Sequence, residues 1–138
     1  MSTFLTDPRG RAKVYRPMAP DARAAALAAF ASAYASGEFF EAHELLEPAW
    51  MGSPHEAERE LLQGLIKLAA AFVHGGRHNP AGVAKNLRGA RDRLAGADPA
   101  EARVDVPNLL AAIDDRLARL AGGATDVARI PIILRDQR

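Results

Sequence analysis

His43 and Glu47 stand four residues apart in the run Glu-Phe-Phe-Glu-Ala-His-Glu-Leu-Leu-Glu-Pro-Ala-Trp that covers residues 38 to 50. On a helix that spacing puts both side chains on one face, where an imidazole and a carboxylate can share a proton or a metal ion. Turning by about 100° per residue, Ala42, Leu46, Phe39 and Trp50 fill one arc, His43 and Glu47 follow, and Phe40 and Met51 come next. The pair is therefore expected inside an apolar face, where an unpartnered polar group costs about 1 to 3 kcal/mol. Glu38, Glu41 and Glu44 point to the opposite side or the edge of the same helix.

Three kinds of chemistry suit these residue types. His43-Glu44-Leu45-Leu46-Glu47 comes within one residue of the zinc-protease pattern His-Glu-x-x-His, its last histidine being replaced by glutamate. A catalytic divalent metal needs a third protein ligand and an open position, and His74 is the attractive third ligand; His55 and His78 lie beside or in loops. A site of His43, Glu47 and His74 would suit zinc, iron, manganese or nickel. The second reading is a structural hydrogen-bond network, in which His43 bridges Glu47 and Gln63 or His74 on the following helix. The third is a small-ligand site, with Glu44 and Glu47 as acid, base or cation partner and His43 or His74 as proton shuttle. Lys67 would then be an anion contact and Trp50 an apolar wall. Metal-assisted or acid-base hydrolysis is the enzyme form of these readings. No Gly-rich phosphate loop, nucleophile elbow or dinucleotide fingerprint is present, and Ser32 and Ser36 have no adjacent base.

These residues must be positioned by helices. Residues 1 to 20 carry Pro8, Gly10, Pro17 and Pro20 among Arg9, Arg11, Lys13 and Arg16, and read as an irregular basic lead-in anchored by Val14 or Tyr15. From Asp21 an alanine-rich helix with Leu27, Phe30 and Tyr34 at helical spacing runs to Ser36-Gly37, and the Glu-rich helix follows to about Met51. Ser53 and Glu56 form a capping-box pattern with Pro54 at the first helical position, which predicts a third helix over about 55 to 75. Its apolar arc is wide, so it should be the central buried element; Glu56, Glu60, Gln63, Lys67 and His74 share its narrow polar stripe, and Gly64, Ala70 and Ala71 let a neighbour approach closely. Asn79-Pro80 starts a fourth helix, and a fifth spans about Pro107 to Ala121. The apolar ending Ile130-Pro131-Ile132-Ile133-Leu134 should dock on the bundle rather than on a second subunit. No strand-period alternation of any length appears, so the class is an all-α single-domain bundle of about five helices built on antiparallel hairpins. The helical domain is expected over residues 21–122, with the lead-in at 1–20 and a tail at 123–138.

Composition narrows the function further. A chain of 138 residues with 49% hydrophobic residues can build one core without staples, and the absence of cysteine excludes disulfides, thiolate nucleophiles and cysteine-ligated metals. No segment has a signal-peptide pattern or the length to span a bilayer, so a soluble cytoplasmic protein without membrane partners is expected. The net charge of +1 makes nucleic acid an improbable partner. The charge is nevertheless segregated: residues 38 to 60 hold seven glutamates against Arg59, and residues 77 to 93 hold five cations against Asp92. Mutual neutralisation within one fold is the expectation.

Tyr34, Gly37, Phe39, Ala42, Leu46 and Ala49 also follow the spacing of a tetratricopeptide hairpin, in which small residues pack two helices around an aromatic ring; a second copy is lacking, so one hairpin rather than an array is implied. The larger run Gly37-Glu-Phe-Phe-Glu-Ala-His-Glu-x-Leu-Glu-x-x-Trp50, then Leu61-Leu-Gln-Gly-Leu-Ile66, then His74 and Asn79, resembles the small prokaryotic helical proteins called domain-of-unknown-function family 309, over about residues 24 to 95. The resemblance implies a compact all-α fold, no assigned activity, and a polar motif on Glu41, His43, Glu44, Glu47, Trp50, Gln63, Gly64 and His74. The expected arrangement is thus a hairpin of the second and third helices around His43, Glu47, Gln63 and His74, with Glu44 and Trp50 at its rim. It would serve a small ligand or metal, or else a helical interaction module that could form a homo-oligomer.

Overall fold

A computed structural model describes residues 4–6, 12–14 and 16–135. Its helices are α1 (Pro20–Ala35), α2 (Phe39–Gly52), α3 (Glu56–Gly76), α4 (Pro80–Leu94) and α5 (Val106–Ala121), preceded by strands β1 (Phe4–Thr6) and β2 (Ala12–Val14). Consecutive helices pack on one another, α3 against both α2 and α4, which makes the all-α bundle expected from the spacing. The lead-in is not wholly irregular: β1 and β2 pair antiparallel with Phe4 opposite Val14. The role expected of Tyr15 and the charges of Arg9 and Arg11 lie outside the described residues.

Local chemistry sets the helix ends. Gly37 at φ +80° follows α1, and the Glu38 N–H donates to the Ala33 carbonyl at 2.9 Å, closing the helix with a left-handed residue that glycine adopts without a Cβ clash. Asn79 Oδ1 accepts from the Gly82 N–H at 3.0 Å, and Asp105 Oδ1 accepts from the Asn108 N–H at 3.1 Å, so α4 and α5 have true side-chain caps. The capping box expected at α3 does not form. His55 occupies the N-cap position without a side-chain cap, while Ser53, fully buried, donates its hydroxyl to Glu58 instead. The hydroxyl still accepts from the His55 N–H at 3.3 Å, but the helix begins two residues later than the pattern implies, so Ser53 lies before the N-cap.

Packing centres on α3. Leu65, Ile66, Leu68, Ala69 and Ala71 are wholly buried, and α4 approaches so closely at Gly64 that a Cβ there would stand 2.7 Å from Leu94 Cγ. At the other end, Tyr34 meets Phe39 edge-on at 5.1 Å, and Phe39 meets Phe72 at 5.7 Å, tying α1, α2 and α3 through one aromatic cluster. The tail docks on its own bundle. Ile130 is buried, its carbonyl accepts from the Tyr34 hydroxyl at 2.6 Å, and Leu134 forms an antiparallel bridge with Val104. Burial pushes the Tyr34 hydroxyl above its ordinary pKa, so it stays a donor across the physiological range.

Gly64→Ala is expected to lower stability by about 1 to 3 kcal/mol despite the better helix propensity of alanine, because Leu94 is buried and has nowhere to move. A urea midpoint equal to or above that of the unaltered protein would contradict this contact.

Candidate functional site

His43 and Glu47 lie on α2 where the periodicity placed them, but at the edge of the buried face rather than inside it. Their side chains retain 16% and 20% of their exposure, because Phe40, the expected flank, stands 49% exposed. His43 Nδ1 lies 2.9 Å from the Phe40 carbonyl and Nε2 lies 3.9 Å from Glu47 Oε2. The first distance is that of a hydrogen bond and the second is too long for one. With Nδ1–H donating to the carbonyl, Nε2 carries a proton only in the imidazolium form, so the attraction to Glu47 grows when the ring is charged. Gln63 is buried and partnered, and Glu47 has a polar or electrostatic partner besides His43.

The polar stripe of α3 turns elsewhere. Glu60 accepts from Arg93 at 3.2 Å, the stem of Lys67 crosses α4 at Gly89, and His74 Nδ1 accepts from the Asn79 side-chain amide at 3.3 Å. A Cβ on Gly82 would come 2.7 Å from that His74 nitrogen, so the ring is seated on the first turn of α4. Residues 60, 67 and 74 recur every seven positions, about two helical turns, and so form one seam against α4. The expectation that His74 joins His43 and Glu47 is therefore corrected. Among the described residues no three His, Asp or Glu side chains are grouped to hold a metal, and the set His43, Glu47 and His74 is not assembled. Trp50, in the apolar arc of the wheel, is a core residue at 3% exposure, as its place there implies, and only its placement at the rim is corrected. Glu41 and Glu44 are exposed, and Gly64 serves helix packing.

The most deeply set charge was missed. Arg23 shares the buried stripe of α1 with Leu27, Phe30 and Tyr34, a signal readable from the spacing i, i+4, i+7, i+11. Its Nε lies 2.7 Å from Glu58 Oε1, off the hydrogen-bond direction, and its Nη1 donates to the Met18 carbonyl. Glu58 also takes the Ser53 hydroxyl, so one carboxylate ties the start of α3 to α1 and to the loop after α2. Beside this pair, Leu27, His55, Leu61 and Glu101 help line a cavity of about 440 Å³.

The opposing charges of the chain do neutralise one another in part, through α3 and α5: Arg93 of α4 pairs with Glu60, and Arg91 pairs with Asp114 at 3.1 Å. An exposed Asp115 is held below the ordinary carboxylate range, chiefly by the hydrogen bond from Arg119.

The fold and motif define a small all-helical domain with a polar α2 edge and an α3 seam. Residues 27–86 match the model of the family described as "Domain of unknown function (DUF309)", a shorter stretch than the one the motif suggested. An "Uncharacterized protein YpuF" of Bacillus subtilis (strain 168) is 37% identical over 65 residues, a match that covers 47% of this chain and 37% of that relative. No solved structure matches.

Glu58→Ala should destabilise by about 1 to 3 kcal/mol, less than the loss of half a fully buried ion pair because the Glu58 side chain is 31% exposed. Arg23→Met combined with Glu58→Gln is expected to recover most of that loss. Equal thermal midpoints for Glu58→Ala and the unaltered protein would show that Arg23 does not depend on this carboxylate.

Proposed function

We propose that this chain is a cytoplasmic helical binding module that docks a protein partner on the outer edge of α2, and that His43 and Glu47 support this surface rather than catalysis. The observation that carries the reading is Phe40, a large aromatic ring 49% exposed beside a shallow depression of about 370 Å³ formed with Phe39, Phe72, Val73 and Arg77. Exposed aromatics are common anchors in protein recognition. His43 fits the supporting role, since it bonds the carbonyl of Phe40 and packs its ring against that of Phe40 at 5.2 Å. Restricting Phe40 in this way reduces the entropy lost when a partner immobilises it.

The rim sets the partner's chemistry. Glu38, Glu41 and Glu44 are exposed on the same helix, so the edge favours an apolar side chain flanked by lysine or arginine. A symmetric contact between two copies through this edge would oppose the glutamates of both, which favours a different protein over a second copy.

A photoreactive phenylalanine at position 40, introduced in the producing cells, should give one dominant cross-linked protein with the adduct in a basic, apolar segment. The yield should fall when Glu41 and Glu44 are both replaced by lysine. The same adducts from a probe at exposed Asp126, or no adduct, would contradict the proposal.

A further inference from the structure

Gly89 lies in the middle of α4, where glycine costs about 1 kcal/mol relative to alanine. Its neighbour explains the choice of residue. A Cβ at position 89 would stand 3.1 Å from Lys67 Cδ, 3.6 Å from Cε and 3.7 Å from Nζ, so the missing side chain makes room for a lysine arriving from α3. Lys85 and Arg93 sit one turn before and one turn after Gly89 on the same face of α4. Lys67 thus lies within reach of the charges of both, and of the three only Arg93 has a carboxylate, that of Glu60, to which its guanidinium turns. Among the described residues, no acidic group or carbonyl pairs with Lys67.

We propose that Lys67, Lys85 and Arg93, gathered across Gly89, bind a small phosphate monoester. Two ammonium groups and a guanidinium present several donors over a short span, which matches the oxygens and double charge of a terminal phosphate. Half-burial and the charges of Arg93 and Lys85 pull the Lys67 ammonium below its ordinary pKa, the electrostatic sign of a position that an anion would relieve. The cluster is too short for a nucleic-acid track. Arg91 is tied to Asp114, and the chain's net charge is only +1.

The test is a titration of isotope-labelled full-length protein with inorganic phosphate and with phenyl phosphate, followed by amide NMR against sodium chloride at matched ionic strength. Saturable shifts centred on Lys67, Gly89 and Arg93 are expected, with phenyl phosphate binding at least as tightly as inorganic phosphate. Lys67→Gln should weaken binding about tenfold. Gly89→Ala should weaken it too while keeping or raising the thermal midpoint, which separates the site from folding. Shifts that do not saturate, or unaltered binding by Gly89→Ala, would overturn the proposal. A short single-stranded oligonucleotide that binds more tightly than either phosphate and shifts Arg88 and Arg91 would overturn it in favour of a nucleic-acid surface.

Discussion

The structure depends on how α3 disposes of its polar side. A helix with Leu65, Ile66, Leu68, Ala69 and Ala71 fully buried is in contact with protein over most of its circumference, yet it also carries Glu60, Gln63, Lys67 and His74. Burying such groups without partners would cost more than a small domain's margin of stability. The sequence eases the constraint by spacing Glu60, Lys67 and His74 seven residues apart, with polar partners on or at the start of α4 for Glu60 and His74 and space for the stem of Lys67. Arg93 takes the carboxylate, Gly89 admits the lysine stem, and Asn79 receives the imidazole while its own oxygen caps α4. The apolar lock between Gly64 and Leu94 lies beside this seam and fixes the separation of the two helices.

Around that pair the remaining elements are fastened by single specific contacts. Tyr34 belongs to the aromatic cluster that joins α1 to α2 and α3, and its hydroxyl also holds the tail at Ile130. Arg23 and Glu58 do the equivalent at the opposite end of α1. Once α3 and α4 are locked and α2 is set by Phe39 and Trp50, the outer edge of α2 is left for other work. It is there that Phe40 faces outward above His43.

Much of the fold was legible in the sequence because periodicity and punctuation agree. Ser36-Gly37, Asn79-Pro80 and Gly122 mark helix limits by backbone chemistry that requires no knowledge of the partner helix. The site was legible in part. Helical spacing correctly put His43 and Glu47 side by side, but a helical wheel cannot tell how wide a face the neighbours cover, and coverage stops at His43 rather than at Phe40. It also assigned His74 to the stripe of Gln63 without revealing which neighbouring helix that stripe meets. Ser53 shows the same limit: the helix starts after His55, and the Ser53 hydroxyl donates to Glu58, whose carboxylate lies beside Arg23 of another helix. Arg23 carries the one clear signal that composition hides: an arginine reads as surface, but its spacing puts it on the buried stripe of α1.

A surface edge can specialise for recognition only if the interior behind it is fixed, and α3 is the element that must be held most firmly. Native-state hydrogen exchange measures this directly. Amides of residues 65–72 should exchange only through global unfolding, at a higher free energy than those of α5 and of the tail after Gly123. Exchange of 65–72 through cheaper local openings, while α5 keeps its protection, would contradict the central place given to α3 and its seam with α4.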